Sequence, residues 1–180
     1  MKALLDACVL YPTVLREILI GVARAELYTP LWSDRILEEW ARATVKFGPG
    51  AEEIARGEVA ALKAAFPGSS VPVRAGLQAR LWLPDPDDIH VLAAAVAGGA
   101  EVIVTFNAQD FPRATLAEEG LKRVDPDQFL LYMQALQPET VARAVEAVRE
   151  TAERLSGEPQ PLRALLKRAR LPRLGKALAP

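Results

Sequence analysis

The chain has 180 residues, 51% of them hydrophobic and 25% charged, with 22 Lys plus Arg against 23 Asp plus Glu. That composition builds a real core and excludes a disordered chain, while the net charge of -1 excludes a protein coated in basic residues, though not a local basic stripe. The single cysteine, Cys8, excludes an internal disulfide and fits a reducing compartment.

The first residues imitate a secretory signal, with Lys2, an apolar run and Ala23-Arg24-Ala25. Asp6, Pro12, Arg16 and Glu17 interrupt that run, and nowhere is there an apolar stretch long enough to span a membrane. The expectation is a cytoplasmic protein without membrane attachment.

In chain order, Ala3-Leu4-Leu5 reads as a short strand closed by Asp6. Ala7 to Leu10 leads to Tyr11-Pro12, which opens a helix with Val14, Leu15, Ile18, Leu19 and Val22 at helical spacing. Tyr28 to Trp32 is a second extended piece. Ser33 or Asp34 can cap the next helix, whose buried face is Ile36, Leu37, Trp40, Ala41 and Val45, with Glu38 and Glu39 beside it. Gly48-Pro49-Gly50 breaks the chain before a helix over 51–66. Residues 69–83 read as a loop with a short helix.

Leu83 to Pro112 is the densest stretch. Asp85, Asp87 and Asp88 crowd the start of an Ala-rich helix over 88–97, which Gly98-Gly99 stops before the apolar strand 102–106, and Asn107 and Asp110 follow at once. A short helix, a last strand over 121–124 and a helix opened by Asp125-Pro126 complete the pattern. Strands alternating with helices predict an α/β fold, a central parallel sheet flanked by helices on both faces. Pro138 to Leu155 is a long helix. After a Gly/Pro linker, the tail from Leu162 carries Arg163, Lys167, Arg168, Arg170, Arg173 and Lys176 and no acid. Such a tail is equally a solvated face, a phosphate-binding stripe or a partner-docking arm.

Ligands of open α/β sheets sit beyond the carboxyl ends of the strands. The acids there are Asp6, Glu38 or Glu39, Asp87 or Asp88, and Asp110, with Asn107 beside it. Converging carboxylates repel unless a cation is present, and oxygen donors without a His or Cys set favour Mg²⁺ or Mn²⁺ over Zn²⁺. The chemistry suggested is metal-assisted phosphodiester hydrolysis. Competing sites lack their residues: no glycine-rich turn follows the first strand, no G-x-S-x-G occurs, and Cys8 stands where an aspartyl-phosphate enzyme places a second aspartate. His90, the only histidine, reads as a structural side chain, and Cys8 as a small buried residue.

LLDACVLYP, SDRILEEW, LPDPDDIHVLAAAVAGGAEVIVTFNAQDFP and VDPDQFL, in this order, resemble the PIN-domain family of metal-dependent ribonucleases, especially the VapC-type toxins of toxin-antitoxin pairs. The resemblance covers roughly residues 1–136, and residues 137–180 resemble the helical C-terminal extension of one VapC-like subgroup. It implies a PIN-like three-layer fold with a central parallel sheet, and acids holding Mg²⁺ or Mn²⁺. The family's first aspartate falls on Asp6. Its glutamate falls on Glu39, since Trp40 follows it, with Glu38 as fallback. The acid opening the Ala-rich helix falls on Asp88, with Asp87 as fallback. At the usual fourth aspartate this chain has Asn107, a departure that removes a charge from the metal site, and Asp110 reads more as a loop cap than as a replacement.

The resemblance implies an endoribonuclease with an RNA substrate, a cognate antitoxin and a possible homodimer. Asp6 and Asp88 would hold the metal, Glu39 would orient the ion or its water, and Asn107 would assist. The basic tail, with Arg16 and Lys46, would bind phosphates. Two rivals make different expectations: a non-catalytic RNA- or protein-binding module whose site decayed at Asn107, and a DNA-directed nuclease with the same metal chemistry.

Overall fold

The computed structural model describes residues 1–179. The chain forms two compact units, one of Met1–Tyr11 and Thr29–Val124, the other of Pro12–Tyr28 and the chain from Asp125 onward. In the first unit, strands β1 (Lys2–Leu5), β2 (Thr29–Leu31), β3 (Val102–Val104) and β4 (Lys122–Val124) form a parallel sheet in the order β2-β1-β3-β4. Ala3 pairs with both Pro30 and Val102, and Leu5 with Val104. Ala3, Leu4, Leu5, Ile103 and Val104 are all fully buried. Burial on both faces explains why β1 after Lys2, and β3, are unbroken apolar runs rather than alternating ones.

Along the chain, the helices are α1 (Ala7–Leu10), α2 (Thr13–Arg24), α3 (Asp34–Ala43), α4 (Ala51–Ala65), α5 (Ala75–Arg80), α6 (Ile89–Gly98) and α7 (Arg113–Glu118). Then follow α8 (Pro126–Leu136), α9 (Pro138–Ser156), α10 (Leu162–Arg168) and α11 (Pro172–Leu178). All but α2 and α8 to α11 belong to the first unit, where they flank the sheet as the α/β pattern predicts. α6 packs on β1 and β3. Gly98 permits close packing at the end of α6, since a Cβ there would lie 2.8 Å from Leu31 Cδ1 and 2.9 Å from Val71 Cγ2. Gly99, at φ 64°, then takes the left-handed conformation that ends the helix.

Local expectations hold or fail for definite reasons. Ser33, not Asp34, caps α3, its hydroxyl accepting from Ile36 N at 3.2 Å. Val45 leaves the apolar face of α3 because the helix tightens after Ala43 into a 3-10 turn over Thr44–Phe47, and Val45 ends 54% exposed. Pro12 sits at the N-cap of α2 rather than in its first turn, because Ala7–Leu10 makes a helical turn of its own. The apolar strand ends at Val104, with Thr105 N still bonded to Val124 O at 3.1 Å, and Phe106 lies beyond it.

The second unit is helical. α2 packs on α9, and α8 on α9 and α11. Gly21 faces Ala144 in the first contact, where a Cβ would lie 3.4 Å from Ala144 Cβ, an ordinary van der Waals distance. Tyr28 meets Phe129 edge-on at 4.9 Å and donates to Leu19 O at 2.9 Å. The buried carboxylate of Asp127, in the first turn of α8, accepts from Arg173 N and Leu174 N, each at 2.9 Å, and so holds the first turn of α11. Asp127→Ala strands two backbone donors, one of them in a buried bond. It is expected to cost about 2 kcal/mol, seen as a lower urea midpoint, with the amides of α11 losing hydrogen-exchange protection first. Asp127→Asn keeps one acceptor oxygen and is expected to cost less.

Candidate active site

Strand order reverses direction around β1: β2 lies on one side of it and β3 on the other. The crevice at such a switch point, beyond the carboxyl ends of β1 and β3, is where open α/β sheets bind ligands. Asp6 and Thr105 are the residues that follow these two strands. Asp6 N extends the ladder to Val104 O at 3.2 Å, and the nearly buried Asp6 carboxylate (residue 7% exposed) accepts from Thr105 Oγ1 at 2.7 Å and from Cys8 Sγ at 3.2 Å. Two donors from two elements therefore fix the orientation of Asp6. Burial and then the charge of Asp6 push the Cys8 thiol up to about 12, which makes it a poor nucleophile and leaves it the structural role read from the sequence.

The connection runs on from Thr105. Asn107 N donates to Thr105 Oγ1 at 2.9 Å, and Asn107 Nδ2 donates to Asp88 Oδ2 at 3.0 Å. Asn107 Oδ1 accepts from Asp110 N at 3.4 Å. Asp88 ends a 3-10 turn, Pro86–Asp88, whose cap is Asp85: its carboxylate accepts from Asp87 N at 2.9 Å. One oxygen each from Asp85, Asp88 and Asp110 lie within 4.8 Å of one another. Burial, then the charges of Asp6, Asp85 and Asp110, push the Asp88 carboxyl up to about 6, with His90 acting in the opposite direction. Carboxylates so close to one another form a donor set that a hard divalent cation fits, since its charge relieves the repulsion and its ligands are all oxygen.

Glu39 enters from α3. Its Oε1 accepts from Arg35 Nε at 3.3 Å and lies 2.8 Å from His90 Nε2. Arg35 also reaches Asp87 O at 3.5 Å, so Glu39 is tied to the segment carrying Asp88. Glu38 points into a different network. Arg42 donates to it at 2.8 Å and Arg56 at 2.7 and 3.0 Å, and hydrogen bonds from these guanidiniums, Arg56 foremost, hold its carboxyl down near 2. Asp87 is exposed, whereas Asp88 is half-buried.

Geometry thus brings Asp6, Asp88 and Asn107 into one hydrogen-bonded array through Thr105, with Glu39 attached through Arg35 and His90. The sequence showed Asp85 in the acidic run but left it and Arg35 out of the candidate site, and Asp110, one of the collected acids, read more as a loop cap than as a replacement for the missing carboxylate. The signal for Asp85 was present in the Asp-Pro-Asp-Asp run, where an N-capping aspartate is held beside the acids it precedes. Arg16, considered as a phosphate contact, is 2% exposed and has Nε 3.5 Å from Glu17, so it offers no surface to a strand. Lys46 Nζ stands over the Tyr11 ring at 4.6 Å and the Phe47 ring at 5.4 Å.

The PIN domain model matches residues 2–109, more than half of the chain. The chain belongs to the PIN-domain family. The matched span holds Asp6, Glu39, Asp85, Asp88 and Asn107, and ends one residue before Asp110. A relative named "Putative ribonuclease VapC50", from Mycobacterium tuberculosis, is 54% identical over 44 residues, which is 24% of this chain and 26% of that protein. This match supports a VapC-like nuclease family and spans about a quarter of the relative's length. No solved structure matches the chain. Among the described residues of this PIN protein, no helix is long and apolar enough to cross a membrane.

Proposed function

We propose that this PIN protein is a metal-dependent endoribonuclease acting in the cytoplasm as the toxin of a VapBC-type pair, with residues 1–136 as the nuclease domain and 137–180 as a C-terminal helical extension. The observation that carries the reading is the group of carboxylates at the β1/β3 switch point, where burial and then the neighbouring acids push Asp88 up.

Asp6 and Asp88 would hold Mg²⁺ or Mn²⁺, with Asp85 and Asp110 adding negative charge. Such an ion supplies positive charge to the phosphate oxygens and makes an attacking water more acidic. The chain's own groups do the positioning. Thr105 keeps Asp6 in one orientation, Asn107 does the same for Asp88, and Glu39, steadied by Arg35 and His90, orients the attacking water. The exposed cations Arg163, Lys167, Arg168, Arg173 and Lys176 on α10 and α11 contact phosphates along the RNA, which predicts affinity that falls steeply with salt. An antitoxin silences the site by placing an arginine among the acids, and two copies of the chain associate as a dimer.

The test is cleavage of a mixed RNA pool by purified protein in Mg²⁺, Mn²⁺ or EDTA, beside DNA of the same sequences. The expected result is cleavage of RNA alone, abolished by EDTA and reduced at least about a hundredfold by Asp6→Asn. Glu39→Gln is expected to lower kcat by about tenfold or more, and Glu38→Gln to leave it within about twofold, because Glu38 serves the exposed ion pairs with Arg42 and Arg56. Equal inertness of wild type and Asp6→Asn towards RNA overturns the reading, and preferential cleavage of DNA overturns its substrate.

A further inference from the structure

Beside the acids lies a cavity of about 320 Å³ whose wall includes Arg35 and His90, the two residues that hold Glu39. Val71 and Val73 give it an apolar side, and Ser70 and Gln78 a polar one. This volume is at the small end of ligand sites, suited to a single planar ring system.

His90 makes the cavity more than a surface dent. The residue is 2% exposed and its Nε2 faces Glu39 at 2.8 Å, yet its Nδ1 is buried without a hydrogen-bond partner. A buried ring nitrogen left unpaired is costly, which marks the His90 wall as a place where the packing serves something other than stability. Ser70 Oγ already accepts from Trp32 Nε1 at 3.2 Å, which leaves its hydroxyl proton free to be donated. Arg35, with Nη2 3.5 Å from Asp87 O, carries a guanidinium on the boundary between cavity and acids, suited to a phosphate.

We propose that the cavity receives one nucleobase of the RNA strand, next to the phosphate that lies on the acids, and so sets which base flanks the cut. The ring's face rests on Val71 and Val73, its polar edge meets Ser70 and Gln78, the His90 ring lies in the same wall, and Arg35 holds the phosphate. This rests on the ribonuclease reading for its strand, but its test does not require cleavage.

His90 is the only histidine, so its imidazole resonances are unambiguous in an NMR spectrum of the full chain. Metal-free protein is titrated separately with AMP, GMP, CMP and UMP, with ribose 5-phosphate as the base-free control, and with a short single-stranded RNA as competitor. At least one nucleotide is expected to shift the His90 signals saturably, with a Kd tighter than about 1 mM, while ribose 5-phosphate does not. Val73→Phe, which fills the cavity from a loop, is expected to abolish the shift, and Gln78→Leu to reorder the four nucleotides, both with the amide fingerprint of the fold retained. The RNA is expected to displace the nucleotide, and Gln78→Leu to change the base found at mapped cut sites. No shift with any nucleotide, an equal shift with ribose 5-phosphate, or an unaltered shift in Val73→Phe overturns the cavity. Failure of the RNA to compete overturns the strand as the source. Cleavage without nucleotide binding removes this inference alone, whereas nucleotide binding by a protein inert towards RNA removes the ribonuclease reading and leaves a nucleotide site.

Discussion

Asp88→Asn is expected to abolish RNA cleavage, by at least about a hundredfold, while making the metal-free protein more stable at pH 8. The two effects have one cause. In the folded protein, burial and then Asp6, Asp85 and Asp110 push the Asp88 carboxyl from 3.8 to about 6, so between those values the folded state binds a proton that the unfolded state has released. Stability therefore falls as pH rises through this window, and above about 6 the folded chain bears the full cost of an ionised Asp88. An asparagine has no charge to lose or keep, and its oxygen can still accept from Asn107 Nδ2. The shift of about 2 units corresponds to about 3 kcal/mol if undiluted, and solvent screening at this half-buried group brings the expected gain nearer to 1 kcal/mol. Urea unfolding in EDTA should show the variant's advantage at pH 8 and its disappearance near pH 4. Adding Mg²⁺ should then stabilise the wild type by mass action and the variant much less. A variant no more stable than wild type at pH 8 would mean that Asp88 is not under this repulsion.

How far the site could be read from the sequence follows from how local its causes are. Asp6 was legible because a buried parallel strand is an unbroken apolar run, and the first polar residue after it lies at the sheet's carboxyl edge. Asp88 was legible from the residues only as one of two acids, with Asp87, at the start of an Ala-rich helix, and the structure separates them by leaving Asp87 exposed. Asp85 was not legible, because an aspartate before a proline reads as a turn residue, and it is one: the same carboxylate that caps Asp87 N also faces Asp88 and Asp110. Glu38 and Glu39 are neighbours in sequence, and only packing separates them, one towards Arg42 and Arg56, the other towards His90. Thr105 looked like the continuation of a strand, and its N–H does bond Val124 O, but its hydroxyl bonds Asp6, a contact across 99 positions that no period can reveal. The same limit hid the second unit. α2 was visible as an amphipathic helix, but its packing against α9, with Gly21 facing Ala144, joins segments far apart in the chain, and the cap that holds α11 comes from Asp127, 46 positions before Arg173.

Asn107→Asp is expected to strengthen metal binding by about tenfold and to destabilise the metal-free protein. The amide now present has a definite orientation, because its oxygen must face Asp110 N and its nitrogen must face Asp88 Oδ2 at 3.0 Å. An aspartate in the same pose puts a second carboxylate oxygen where the donor was, so a favourable bond becomes a repulsion that only a shared proton or a cation relieves. The expected cost in EDTA is about 2 kcal/mol, and the concentration of Mg²⁺ giving half-maximal cleavage should fall, since each added anionic ligand tightens a site of this kind. Unchanged Mg²⁺ dependence would place Asn107 outside the ion's reach and leave it only a steadying part for Asp88. The double exchange, Asp88→Asn with Asn107→Asp, separates charge from place. It returns one carboxylate and one amide to the pair, so stability should recover relative to Asn107→Asp alone, a coupling expected for side chains in contact. Cleavage should stay low, because the carboxylate then stands after β3 rather than at the start of α6, beside Asp85 and the wall formed by His90.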